Sequence, residues 1–307
     1  MKKFPILSFF VLALLISWAG WIPYAAAQAG IINLKIPSEL IWLAEFGPTL
    51  SALIVTFFIY GKTGVKDIQK RLTIWKVGLR WYLFAILITP LVILLSISID
   101  SLLFRTSYDL SLLIDWDTNF IKRTEAFTPS MGIITQLVDF MKTGILGTGL
   151  VFILLALTNG GLSEELGWRG FALVEFQNRP CNFLLSSLFV SLLWAFWHAG
   201  TMFWQTVMMS SLNDGLMFAI TYVAEYLLLV FPLSIIYTVL FNGSGGSVLL
   251  TIILHAFYNI SISVFASALP NFPMVIFVII LWLFSLLLLI KNWNNEVYNK
   301  VKIAESK

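Results

Sequence analysis

Long runs of apolar residues, separated by short polar segments, follow one another along the whole chain. Each run is about 20 residues long, the length that an α-helix needs to cross the hydrocarbon core of a membrane. The pattern therefore predicts an all-α, polytopic membrane protein with about eight transmembrane helices. The predicted spans are roughly residues 5–26, 41–60, 81–104, 143–163, 182–204, 216–241, 247–268 and 272–290.

The composition excludes a soluble domain. Hydrophobic residues make up 59% of the 307 positions and charged residues 11%, with a mean hydropathy of +0.90. So little charge cannot cover the surface of a soluble protein of this size. No repeat or second domain interrupts the pattern, so residues 1–307 are expected to form a single transmembrane domain. The lone cysteine, Cys181, precludes an intramolecular disulfide.

Basic residues set the expected orientation. With the N-terminus in the cytoplasm, most of the 19 Lys and Arg residues fall in cytoplasmic segments, which predicts that both termini are cytoplasmic. Residues 62–80 alternate basic and apolar positions at helical spacing, which predicts a surface helix bound to anionic membrane lipid. Residues 105–142 are expected to form an extracytoplasmic loop. The small net charge of +3 argues against a nucleic-acid partner.

The first apolar run has some features of a secretory signal, because Lys2 and Lys3 precede it and residues 25–27 are small. Its length and its two tryptophans, Trp18 and Trp21, favour a retained helix instead.

The chain contains only two histidines, and both fall within apolar runs. His198 follows the segment 192–197, and His255 follows the segment 249–254. An ionisable group inside a span is costly, so each one needs an explanation. A single buried histidine is usually a structural residue. Placement of both histidines inside predicted helices favours a functional site.

A pair of carboxylates closes the fourth predicted span. Glu164 and Glu165 are adjacent, so their side chains point about 100° apart on a helix and need different partners. Glu165 precedes Arg169 by four positions, which is the favourable order for an ion pair within a helix. This pairing leaves Glu164 without a partner in its own helix. The alternative interpretation is a solvated helix end with an ordinary salt bridge.

Predicted turns bring these residues to similar depths. The segment 180–182, Pro-Cys-Asn, is the predicted turn between the fourth and fifth spans. Glu164 and His198 each lie 17 positions from Cys181, so they stand at one height in a helical hairpin. This argument requires residues 164–179 to continue as helix.

The seventh predicted span adds two more residues on the same side of the membrane. His255 lies about 10 residues beyond the turn at 242–246, or roughly 15 Å along the helix. Asn259 follows it by four positions and shares its helix face.

One carboxylate, two imidazoles and one amide suit hydrolysis. A carboxylate in an apolar site acts as a general base, and beside a histidine it takes a proton from water. The other histidine and the amide donate hydrogen bonds to a developing oxyanion. No serine has a convincing nucleophile setting, and Cys181 lies at a predicted turn away from both histidines.

At these residues the chain resembles the CPBP family of CAAX proteases and bacteriocin-processing membrane proteins, also called the Abi or type II CAAX prenyl endopeptidase family. The family's first motif, two glutamates and an arginine, corresponds to EELGWR at residues 164–169. Its second, an aromatic residue four positions before a histidine, corresponds to Trp194 and His198, where the family more often has phenylalanine. Its third, a histidine with asparagine or aspartate four positions later, corresponds to His255 and Asn259.

The resemblance extends through a motif-bearing core at about residues 160–262, with a weaker match at residues 46–48. It implies an intramembrane endopeptidase of the bacterial plasma membrane, with an eight-helix fold whose cavity opens to the cytoplasmic leaflet. The peptide or protein substrate would reach the site from that leaflet.

The resemblance also implies individual roles. Glu164 and His198 would activate water, and His255 and Asn259 would form the oxyanion site. Supporting residues would be Glu165, Arg169 and Trp194.

The family is often described as metalloproteases, and Glu164, His198 and His255 would then be the zinc ligands. Such a site would leave only Glu165 as a base, and Arg169 is expected to hold that residue. We therefore favour a metal-free glutamate mechanism over a zinc cofactor.

Two functions of other classes stay open. A non-catalytic immunity or scaffold protein would retain the same motifs without hydrolysing anything. A transporter would also place ionisable residues in its helices, but the chain lacks the paired interrupted helices that are typical of transporters. The substrate of a peptidase would be a prenylated protein, a pheromone precursor or a bacteriocin leader.

Overall fold

A computed structural model describes residues 1–37, 40, 43–110, 145–179, 181–269 and 271–292. Within these ranges the chain is helical, with turns and short connections and no β-strand, so the predicted all-α class is confirmed. Most of the predicted extracytoplasmic loop lies outside the described residues, as does the C-terminal segment 293–307.

Seven helices run without interruption by other helix types. They are α1 (Pro5–Gln28), α2 (Gly47–Leu72), α3 (Leu79–Phe104), α5 (Phe183–Met209), α6 (Leu212–Gly243), α7 (Val248–Ala268) and α8 (Met274–Asn292).

Helix α4, residues 145–177, mixes α-helical and π-helical turns. It begins as α-helix and then contains two π-helical segments on either side of one short α-helical step. Its parts are Ile145–Ala156 (α), Leu157–Leu162 (π), Ser163–Glu165 (α), Leu166–Leu173 (π) and Val174–Gln177 (α). π-Helical turns within α-helices are rare and occur frequently at functional sites.

The protein is a multi-pass integral membrane protein. Among the described residues, seven helices are long and apolar enough to cross a membrane, namely α1, α2, α3, α5, α6, α7 and α8. The predicted fourth span, 143–163, falls in α4 and is not among the seven. The count of eight and the cytoplasmic placement of the termini therefore stay predictions.

Leucines on α3 show how the surface suits lipid. Leu83, Leu87, Leu91 and Leu94 are all exposed, and they lie on the outer side of the helix. Exposure of such an apolar face to water is unfavourable, whereas lipid tails solvate it at no cost.

The core lies around α4, where large aromatic residues from neighbouring helices meet. Phe9 of α1 packs edge-on against Trp168 of α4 with ring centroids 5.6 Å apart. Trp197 of α5 contacts both Trp168 and Trp21, at centroid distances of 6.1 and 5.1 Å. These contacts hold α1, α4 and α5 together, so the motif-bearing segment lies inside the bundle.

The predicted turns are confirmed at two helix starts. The Asn182 side chain caps α5 by accepting a hydrogen bond from the Leu185 amide at 2.8 Å. The turn between α6 and α7 contains Gly245 and Gly246 in left-handed conformations, which glycine adopts without strain. Helix α4 continues to residue 177, two residues short of the 179 that the hairpin argument requires, and its segment Leu166–Leu173 is π-helical.

The predicted surface helix at residues 62–80 is correct only in part. Helix α2 bends at Gly61, which has a φ of 65°, and continues to Leu72, where it ends. Arg71 does not face the lipid surface, because it is buried and its guanidinium lies 5.8 Å from the centre of the Phe241 ring. Apolar contact with a neighbouring helix therefore outweighs the amphipathic pattern at this position.

Candidate active site

The short α-helical step Ser163–Glu165 positions the two carboxylates of the first motif. Both are inside the protein: Glu164 is 3% exposed and Glu165 is fully buried. As the 100° separation predicts, they have different partners. Each carboxylate therefore belongs to a different part of the site.

Glu164 is held by two indoles. Its Oε2 atom accepts hydrogen bonds from Trp168 Nε1 at 2.9 Å and from Trp194 Nε1 at 2.6 Å. Trp168 lies four positions after Glu164 on the same helix face, so the expectation that Glu164 has no partner in its own helix is wrong. The spacing of four was the signal that could have identified Trp168 from the sequence.

Trp194 joins the first motif to both histidines. Its ring centroid lies 5.8 Å from that of His198 and 5.6 Å from that of His255. Since its N–H also binds Glu164, one indole contacts three of the four predicted site residues. Glu164 and His198, which were predicted to face each other, thus share a contact with this side chain.

His198 is partly exposed and its ring is fixed from two sides. Its Nδ1 atom lies 3.1 Å from the Trp194 carbonyl oxygen, which can only accept, so Nδ1 carries the hydrogen. In a neutral ring the lone pair is then on Nε2. Tyr226 of α6 packs on the same ring at a centroid distance of 5.1 Å, a contact that sequence patterns did not reveal.

Glu165 binds a cation and a histidine with the same oxygen. Its Oε1 atom accepts from Arg169 Nη1 at 2.8 Å, as predicted, and lies 2.8 Å from His255 Nδ1. The Arg169 guanidinium is enclosed by two rings, lying 4.5 Å from the centre of Trp194 and 4.0 Å from that of Tyr237. A carboxylate paired with arginine is an acceptor, so His255 Nδ1 donates to it.

His255 and Asn259 converge on Gly160. A methyl group added to Gly160 would stand 2.8 Å from both His255 Nε2 and Asn259 Nδ2. The His255 and Asn259 side chains therefore both lie against Gly160, in the π-helical turn of α4. Gly160 has a φ of +86°, which favours glycine, and it is a site residue that the sequence analysis missed.

The predicted zinc ligands Glu164, His198 and His255 do not form a preassembled metal-binding group. Among the ranges that the structure describes, no group of three or more His, Cys, Asp or Glu side chains could hold a metal ion. Glu164 Oε2 is occupied by two N–H donors, and the Nδ1 atoms of His198 and His255 bind a carbonyl and a carboxylate. The Nδ1 contacts of the two histidines leave their Nε2 atoms as the atoms that would bind a metal.

Three of the four predicted residues thus contact Trp194, and the fourth, Asn259, lies with His255 against Gly160. Glu164 and His198 offer an oxygen and a nitrogen that can take a proton. His255 and Asn259 offer nitrogens. A water molecule and a carbonyl group between them would meet complementary partners.

Comparison with known proteins covers the same part of the chain. Residues 146–261 match the family model described as type II CAAX prenyl endopeptidase Rce1-like. A "CAAX prenyl protease 2" from Methanococcus maripaludis is 30% identical over 133 residues. This similarity covers 43% of the chain and 47% of that relative, so the match spans about half the relative's length. The predicted family resemblance is confirmed over this segment, which contains all four site residues.

Proposed function

We propose, from the Rce1-like segment and the cluster that it builds, that the protein is a glutamate-type intramembrane endopeptidase. It hydrolyses a peptide bond in a membrane-associated peptide. The observation that carries this proposal is the placement of two proton acceptors, Glu164 and His198, opposite two N–H groups on His255 and Asn259. Glu164, His198 and His255 all contact one buried indole, that of Trp194.

Water activation is assigned to Glu164 and His198. Glu164 Oε2 is fixed by two indole donors, so the carboxylate is held in one orientation. His198 presents the lone pair of Nε2, because its Nδ1–H is bound to the Trp194 carbonyl. A water between them donates one hydrogen to each group, and Glu164 takes the proton as the water attacks.

Oxyanion stabilisation is assigned to His255 and Asn259. Because Glu165 accepts from Nδ1–H, His255 donates through Nε2 only as an imidazolium. The imidazolium Nε2–H and the Asn259 amide, which both lie against Gly160, then donate to the developing oxyanion.

The reaction proceeds without a covalent bond between the protein and the substrate. The water oxygen bonds to the scissile carbonyl carbon while its proton moves to Glu164, and the carbonyl electron pair moves onto the oxygen between His255 and Asn259. When the C–N bond breaks, that pair returns to re-form the carbonyl. The departing amine nitrogen takes the proton from Glu164, which regenerates the carboxylate.

The substrate class follows from the setting and from the relative. The site lies among membrane-spanning helices, so a substrate with a lipid anchor reaches it at a low entropic cost. The M. maripaludis relative is named a prenyl protease, which supports a lipidated C-terminal segment as substrate. We assign entry to the cytoplasmic leaflet of the plasma membrane, in line with the distribution of basic residues.

A paired-substrate assay tests this function. Purified protein in lipid vesicles is given a fluorogenic C-terminal peptide with a farnesyl group and the same peptide without it. We expect cleavage of the lipidated peptide, with losses of at least about 100-fold in Glu164→Ala and His198→Ala. Trp282→Phe is the control, because its indole donates to the Leu228 carbonyl and packs against Phe231, neither of which is a proposed site residue.

Equal cleavage by wild type and both site variants would refute the assignment. Cleavage by none of them, in protein that folds normally, would support a non-catalytic membrane protein instead.

A further inference from the structure

A groove between α1, α4 and α5 takes no part in the proposed mechanism. Its volume is about 330 Å³, and it is open to the outside, because Phe4 and Leu7 on its wall are exposed. Arg179 also lines the groove, so a cation adjoins its apolar surface. The apolar residues of the wall are Phe4, Ile6, Leu7, Phe10, Phe176 and Leu193.

The charged groups lie at one end of the groove. Arg179 follows the end of α4 at Gln177, and Lys3 precedes the start of α1 at Pro5. Both basic residues are exposed, and the Lys3 ammonium lies 5.4 Å from the centre of the Phe4 ring. Since Phe4 is part of the groove wall, the two cations adjoin the same opening.

The apolar wall extends from this end into the membrane-spanning part of the bundle. Phe10 lies five positions after the first residue of α1, and Leu193 lies ten positions after the first residue of α5. At about 1.5 Å per residue, the wall therefore reaches roughly 15 Å inward. Charge at one end and a long apolar wall behind it match the two parts of a membrane lipid.

The two cations are available to a ligand. Glu175 lies four positions before Arg179, the spacing of an ion pair within a helix, but it is buried and its Oε1 atom accepts from Tyr60 Oη at 2.5 Å. Among the residues that the structure describes, no ion pair includes Arg179 or Lys3. Exposed cations without an acidic partner attract an anionic group.

We infer that the groove binds one anionic phospholipid, with its phosphate on Arg179 and Lys3 and an acyl chain along the apolar wall. Guanidinium and ammonium groups both donate hydrogen bonds to phosphate oxygens, and arginine can donate two in parallel. A phospholipid without net charge carries a cation of its own, which the two basic residues repel. The inference goes beyond the proposed function and uses none of its catalytic residues.

The position in the membrane is consistent with this ligand. Lys3 and Arg179 belong to the segments that the distribution of basic residues predicts to be cytoplasmic. The cytoplasmic leaflet is the one that carries anionic lipids, and each nearby Lys or Arg increases the affinity for them.

A bound lipid would connect the helices that position the proposed site. Leu193 immediately precedes Trp194, and Phe10 follows Phe9, which packs against Trp168. Trp168 and Trp194 are the two indoles that donate to the proposed catalytic carboxylate. An acyl chain in the groove therefore stabilises the junction of α1, α4 and α5, and anionic lipid should raise the melting temperature.

Native mass spectrometry of the full chain tests the site by counting bound lipids. Purified protein is titrated with phosphatidylglycerol, or with phosphatidylcholine that has the same acyl chains. The first phosphatidylglycerol should bind at least about tenfold more tightly than the first phosphatidylcholine, because two cations adjoin the groove. Lys3→Gln/Arg179→Gln should lose this preference. Leu193→Trp, which fills the groove, should weaken binding of the first phosphatidylglycerol.

Lys76→Gln/Arg80→Gln is the matched control, because it also removes one lysine and one arginine. Both residues are exposed and lie over aromatic rings, at 5.4 Å from the centre of Trp75 and 5.0 Å from that of Trp81. Neither residue lines the groove, so this variant should keep the tenfold preference. Phosphatidylglycerol should likewise raise the melting temperature of the wild type and the control, but not that of Lys3→Gln/Arg179→Gln.

Equal affinities for the two lipids in the wild type, or equal losses in the two double variants, would overturn the inference. Displacement of the lipid by inorganic phosphate, beyond the effect of chloride at equal ionic strength, would identify a site for phosphate alone and would also overturn it. Displacement by the farnesylated peptide would show instead that the groove holds the lipid anchor of a substrate. If Leu193→Trp does not fold, the two charge variants decide the question. No hydrolysis is measured, so the outcome is independent of the proposed function.

Discussion

His255 Nδ1 lies 2.8 Å from Glu165 Oε1, across a separation of 90 positions in the sequence. The same oxygen accepts from Arg169, so the carboxylate connects the first motif to the third. This contact holds the imidazole ring, whose Nε2 lies beside Gly160. In the proposed mechanism the second glutamate of the motif orients His255 while its neighbour activates water.

Glu165→Gln should lower kcat/KM by at least about 100-fold, because an uncharged amide does not stabilise the His255 imidazolium. It should also lower the melting temperature, since Arg169 is left buried without its carboxylate. The double variant Glu165→Gln/Arg169→Gln should recover stability but not activity. Recovery of activity in the double variant would contradict the orienting role and leave only a structural one.

The two indoles on Glu164 should substitute for each other in part. Trp194→Phe and Trp168→Phe each leave one donor on Oε2, so each should reduce kcat by about tenfold or less. The double variant should lose at least about 100-fold, because a hydrogen bond to a charged group contributes about 1.5–3 kcal/mol. Steady-state kinetics measure kcat for the single and double variants, and melting curves check their stability. Trp282→Phe is the control. Full inactivation by Trp194→Phe alone would contradict the prediction that the two indoles share the stabilisation of Glu164.

Gly160→Ala should abolish hydrolysis, because the new methyl group would stand 2.8 Å from both His255 Nε2 and Asn259 Nδ2. We expect a loss of at least about 100-fold in kcat/KM. Gly245→Ala is a matched control: its φ of +72° imposes similar backbone strain, but nothing lies within 4 Å of an added Cβ. Equal losses in the two variants would attribute the effect to strain rather than to the oxyanion site.

The stability of the protein should depend on Glu45 in a defined pH window. Burial raises its pKa from the ordinary 4.5 to about 8 in the folded protein, so the unfolded chain loses this proton first as the pH rises. The stability contributed by neutral Glu45 is complete below about pH 4.5 and is lost progressively up to about pH 8. The melting temperature of Glu45→Gln should exceed that of wild type by an amount that grows through this window and then levels off. Glu225→Gln should track the wild type, and a constant difference at every pH would contradict the assigned pKa.

The sequence predicted those features that depend on local periodicity. Apolar runs indicated the helices, and the distances of Glu164 and His198 from one turn indicated their common height. The Glu165–Arg169 pair followed from a spacing of four. Such inferences succeed because helix geometry converts sequence separation directly into position.

The remaining features depend on tertiary packing or on departures from α-helical geometry. The Glu165–His255 contact joins two helices that no spacing rule relates, and the π-helical turn at Gly160 interrupts the periodicity that the prediction assumed. Glu45 is different, because it falls in a predicted span and the argument applied to the histidines would have singled it out. The groups that act on it, however, come from two other helices, Trp21 from α1 and Glu164 from α4.

The most direct test of the central claim is the single-turnover rate of lipidated-peptide cleavage in wild type and Glu164→Gln, measured side by side. This rate reports the chemical step without product release. If Glu164 is the base, Glu164→Gln should bind the peptide normally and cleave it about 1,000-fold more slowly. Cleavage by Glu164→Gln at a rate close to that of wild type would contradict the account.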